Sequence, residues 1–152
     1  MKLAEALKER ADLTRKIAEL RSRLVSNSLV QEGEKTAEDP QELLRELDGA
    51  AERLQYLMAR INLTNCRTAI DGVSVTELIA KKDVLTLKLA AYREIIGEAS
   101  QSANRARYSE IKILPSLDVR ALQKAADGIA QELRLTDNAL QAQNWLTDLI
   151  EE

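Results

Sequence analysis

The chain has 152 residues, with Ala, Glu, Lys, Leu and Arg supplying roughly half, the composition of long helices and coiled coils. Phe and His are absent and Cys66 is the single cysteine, so a structural zinc site, a Glu-x-x-His di-iron site, a Ser–His nucleophile and an internal disulfide are excluded. The net charge of −3 gives no basic footprint for nucleic acid.

The start, Met1-Lys2-Leu3-Ala4-Glu5-Ala6-Leu7, carries charge every few residues and has no signal-peptide core. With no apolar run near a membrane-spanning length and one thiol, the expected location is the cytoplasm, off the membrane. Asn62-Leu63-Thr64 is then a chance sequon. A first helix is predicted over about 2–25, where Leu3, Ala6, Leu13, Ile17, Leu20 and Leu24 fall on one stripe, with Arg10 snorkelling from it. Residues 26–38 lose the period and read as a loop. Asp39 as N-cap, Pro40 at the first helical position and Glu42 in a capping box begin a second helix, about 40–66. Its stripe is predicted as Leu44, Leu47, Ala51, Leu54, Met58 and Ile61.

Asp71-Gly72, between Thr68-Ala69-Ile70 and Val73-Ser74-Val75, predicts a hairpin on a type I′ turn. Residues 109–114 are a third strand candidate, so the β-element is expected over about 68–75 and 109–114. Ser74 and Glu77 form a capping box for a third helix, about 75–100, with the stripe Leu78, Leu85, Leu89, Tyr92 and Ile96 interrupted by Lys82. A last helix over about 117–150, capped by Ser116, carries Val119, Leu122, Ala126, Ile129, Leu133 and Leu140, then Trp145, Leu146, Leu149 and Ile150. At ~1.5 Å per residue it outruns the first helix, and a second copy of the chain is the simplest cover for the overhang. The expectation is one mainly α domain, 1–152, of long antiparallel, coiled-coil-like helical hairpins with a small β-hairpin at one end.

Chemistry is sparse. The five glycines are scattered, so no phosphate loop exists. No metal or other cofactor is expected; the acids Glu32, Glu34, Glu38 and Asp39 lack EF-hand spacing and read as a solvated loop. Cys66, without an imidazole base and near a helix C-terminus, reads as a buried, inert thiol. Arg10, Arg15, Lys16, Arg21 and Arg23 of the first helix face eight acids in 31–52, to pair within a hairpin or between subunits. Arg105, Arg107, Lys112, Arg120 and Lys124 make a second basic group. The one polar constellation is Asn62 and Asn65 before the hairpin, Lys82 and Asp83 after it, with Tyr108 and Lys112 on the candidate third strand. It is either a hydrogen-bonded corner or a small-ligand or catalytic site.

Several runs carry a family resemblance: Met1–Leu7, Glu9–Leu13, Val30–Glu34 leading to Ala37–Pro40, Arg60–Asn65, Asp83–Leu85, Tyr108–Lys112 and Asn144-Trp145. They resemble an uncharacterised bacterial family often labelled septicolysin or septicolysin-like, over nearly the whole chain. Around 104–110 this chain is slightly shorter than the family's pattern, which leaves the register of the third strand open. The label implies a pore-forming cytolysin and carries no catalytic residues over. The residues themselves lack the bulky aromatic face of a membrane-active helix. The leading expectation is a non-enzymatic homo-oligomeric scaffold or interaction protein, with the lysin and the polar-corner ligand site as rivals.

Overall fold

The computed structural model describes residues 1–101 and 111–152. Among them are four α-helices, α1 Leu3–Ser26, α2 Pro40–Arg67, α3 Val75–Ala99 and α4 Val119–Leu146, and a two-stranded sheet of β1 Ala69–Ile70 and β2 Val73–Ser74. The mainly helical fold with a small hairpin is as expected. The chain divides into two compact units, Met1–Ala69 with Gln143–Glu152, and Ile70–Ala142.

In the first unit α1 and α2 form an antiparallel hairpin. The order of the ion pairs shows it: Glu9 meets Arg53 through two bonds of 2.7 and 3.0 Å, Lys16 meets Glu46 at 3.6 Å, and Arg23 meets Glu38. Higher numbers on α1 thus answer lower ones across the seam. Of the basic residues of the first helix, Lys16 and Arg23 find acids across this hairpin, while Arg15 pairs with Asp12 on its own helix. Such half-exposed pairs set register more than stability. At the turn, Asn27 bonds back to the Arg23 carbonyl at 2.9 Å and accepts the Glu38 N–H at 3.1 Å. Asp39 caps α2 by accepting the Gln41 N–H at 2.9 Å rather than through a reciprocal box with Glu42.

The core of this unit is Leu3, Ala6, Leu57, Ile61 and Leu149, with Leu7, Leu13 and Tyr56 packed against it. Along α2 the buried positions are Leu43, Ala50, Leu57, Ile61, Thr64 and Asn65. The predicted stripe is therefore corrected at alternate places. Leu44, Ala51 and Met58 face solvent, while Leu47 and Leu54 are half-buried and Ile61 is buried.

The chain end also departs from expectation. α4 begins two residues late, with Asp118 rather than Ser116 accepting the Ala121 N–H at 3.2 Å, and it stops at Leu146 instead of 150. Residues 147–150 leave the helix to pair with the start of the chain. Leu3 N–H donates to the Thr147 carbonyl, and Leu149 N–H to the Met1 carbonyl, both at 2.9 Å. Lys2 and Asp148 face each other in an antiparallel bridge and join their charges at 2.8 Å. Ile150 N–H reaches the Thr64 hydroxyl on α2 at 3.0 Å. This clasp seats Leu149 in the core and leaves Trp145 and Leu146 exposed.

In the second unit β1 and β2 turn on Asp71 and Gly72, at φ of 50° and 83°, the two positive angles a type I′ turn demands. Ser74 accepts the Glu77 N–H while Glu77 accepts the Ser74 N–H, both at 3.2 Å, completing the expected capping box of α3. Leu85 and Leu89 then meet Ala126 and Ile129 of α4, with Tyr92, Ile96 and Leu133 at the margins. Lys81 and Lys82, earlier on α3, reach Glu132 and Asp137, later on α4, so this pair is antiparallel too. The third strand expected over 109–114 has no counterpart in its described part: Ile111–Leu114 has no strand pairing, and Ser109 and Glu110 lie outside the described residues.

Candidate functional site

Of the six residues of the polar constellation, the five that are described divide between the units. Asn62 is exposed on α2 and Asn65 is buried beside it, both in the first unit. Lys82, Asp83 and Lys112 belong to the second, and Tyr108 lies outside the described residues. Lys82 occupies the inner stripe of α3, between Leu78 and Leu85. It does not simply escape to water: its ammonium donates to Asp137 at 2.5 Å. Asp83 and Lys112 are exposed. Cys66 is exposed as well, correcting the buried thiol expected of it. Among the described residues no group of three potential His, Cys, Asp or Glu ligands forms, and no helix is long and apolar enough to cross a membrane.

The ion pairs make stability depend on acid. Hydrogen bonds from Arg53, Lys82 and Lys2 hold Glu9, Asp137 and Asp148 below their ordinary carboxyl ranges; partial burial opposes this and charge attraction adds to it. Unfolding returns each carboxyl to its ordinary value, so the unfolded chain binds more protons between the two values. The stability these pairs contribute is present above the unfolded values and is lost as pH falls through the lowered folded ones. The thermal midpoint is therefore expected to drop on acidification below the ordinary carboxylate range. A flat profile through that window, followed by circular dichroism, would contradict the pairing.

A different feature has the properties of a binding surface. α3 is apolar on two faces. Its inner stripe, Leu78, Leu85, Leu89, Tyr92 and Ile96, packs toward α4. Ala80, Val84, Leu87, Ala91 and Ile95 repeat the three- and four-residue spacing on the opposite side. That outer stripe faces solvent: Val84 is 61% exposed, Leu87 72% and Ile95 40%. Its far end continues into a groove of about 320 Å³ lined by Ile95, Ile113, Leu114 and Leu117 among others. The last three side chains are exposed too. Single exposed leucines need no explanation, but a continuous apolar face on one helix is a candidate interaction surface. Helices apolar all round are ordinarily buried. The signal was in the sequence, since Ala80, Val84, Leu87 and Ala91 have the same four- and three-residue spacing as the inner stripe; reading one stripe per helix passes over it.

A model of DUF6847, described as a family of unknown function, matches residues 10–149. A crystal structure described as that of a functionally unknown conserved protein from Corynebacterium diphtheriae is similar to this chain, with a TM-score of 0.93 and 36% identity over 99% of each chain. No curated protein matches.

Proposed function

The chain belongs to DUF6847, a family of unknown function, and from that premise we propose that it is a non-enzymatic helical scaffold that self-associates through the outer face of α3. The observation that carries this reading is the exposed stripe around Val84 and Leu87. Fully burying each such side chain stabilises an assembly by about 1.5–3 kcal/mol. A second copy offers the same stripe at the same spacing, which is the self-complementarity a two-fold dimer requires. The polar constellation supports a structural role rather than a ligand site, since Lys82 is engaged by Asp137. A single cysteine fits action in a reducing cytoplasm.

Leu87→Glu tests the reading. It places a charge at the centre of the stripe, on a side chain that is largely exposed. Sedimentation velocity is expected to show the unaltered protein associating as concentration rises into the micromolar range, and the variant remaining at one chain with an unchanged circular dichroism spectrum. Identical sedimentation of the two proteins would reject the α3 face as the seam.

A further inference from the structure

The charges beside the outer stripe specify more than contact. We propose that two copies pair their α3 helices in parallel and in register, with Asp83 of each copy bonded to Lys88 of the other. This rests on the self-association proposed above and assigns its geometry.

Written as a heptad, Val84 and Ala91 fall at a, and Ala80 and Leu87 at d. The inner residues Leu85, Leu89, Tyr92 and Ile96 then take the b and f positions, on the far side of the helix, so the two seams do not compete. A β-branched residue at a with leucine at d favours two parallel strands. The flanks carry opposite signs: Lys81 and Lys88 stand at e, and Asp83 at g. In a parallel pair each g residue faces the e residue of the next heptad on its neighbour, which brings Asp83 to Lys88 twice by symmetry. The next such pairing is Ala90 with Ile95, which widens the apolar strip toward the groove at Ile113 and Leu117. In an antiparallel pair each flank meets its own kind, setting lysines against lysines. Lys81 is already held by Glu132 of its own unit at 2.9 Å. Neither Asp83 nor Lys88 forms an ion pair among the described residues. Lys88 lies over the Tyr92 ring, 5.9 Å from its centre. Glu94 follows at d and closes the seam by like-charge repulsion.

The test uses the full chain with Cys66→Ser, because Cys66 is exposed and would cross-link by itself. In a parallel, in-register pair each stripe residue meets its own copy. Leu87→Cys and Ala91→Cys are therefore each expected to give disulfide dimers under mild copper-phenanthroline oxidation. Asp83→Lys is expected to weaken association about tenfold, and Asp83→Lys combined with Lys88→Asp to restore it. If the unaltered protein dimerises but neither cysteine variant cross-links, the parallel seam is wrong while self-association stands. Cross-linking only when Ala80→Cys and Ala91→Cys chains are mixed would likewise replace the parallel seam with an antiparallel one. A protein that stays at one chain throughout overturns both readings.

Discussion

Leu57→Ala is expected to destabilise the protein by about 3 kcal/mol, while its neighbour Met58→Ala changes stability by less than ~1 kcal/mol. Leu57 has no exposed surface and touches the cluster of Leu3, Ala6, Ile61 and Leu149, whereas Met58 is 48% exposed. The larger cost combines lost burial with a cavity that α1 and the C-terminal clasp cannot both close. Urea denaturation of the two variants measures the contrast. Because the two residues are adjacent, it also reads the rotation of α2 about its axis. A larger loss at Met58 would mean that the helix presents the face expected from its sequence, with Leu44, Ala51 and Met58 inward.

Thr64→Val should have the second-largest effect. Thr64 is fully buried; its hydroxyl donates to the Arg60 carbonyl at 2.8 Å and accepts the Ile150 N–H at 3.0 Å. Valine keeps the shape and removes the acceptor, leaving a half-buried backbone N–H unpaired. Such a loss costs about 1–3 kcal/mol. The effect is local before it is global: amide exchange is expected to accelerate at Leu149 and Ile150, since the clasp of 147–150 depends on that bond and on the pairing with Met1–Leu3. Thr64→Ser retains the hydroxyl and should keep those amides protected. Unchanged exchange in the valine variant would assign the clasp to its other bonds.

These two residues show which parts of the molecule its sequence discloses. The helices, the Asp71-Gly72 turn and the Ser74–Glu77 cap depend on neighbours in sequence, and local chemistry suffices to read them. The rotation of α2 does not. Leu43-Leu44, Ala50-Ala51 and Leu57-Met58 are apolar doublets, so two stripes one residue apart fit equally well until α1 selects between them. Thr64 and Asn65 belong to the buried face but carry polar side chains, and a hydrophobic count passes over both. The clasp is invisible for another reason. Residues 147–150 hold the apolar Leu149 and Ile150 in helical register with Trp145 and Leu146, and only pairing with residues 1–3, far away in sequence, makes them extended. Lys82 reads locally as a break in a stripe; its partner Asp137 stands on a helix whose register no local rule supplies. The outer stripe of α3 was legible throughout, masked by the assumption that each helix has one apolar face.

Self-association requires a second chain to cover the outer stripe of α3. The molar mass of the unaltered protein, measured by light scattering across a rising concentration series, tests this most directly. It is expected to climb from that of one chain and level at twice that value. A mass that holds at one chain up to the highest soluble concentration would contradict it.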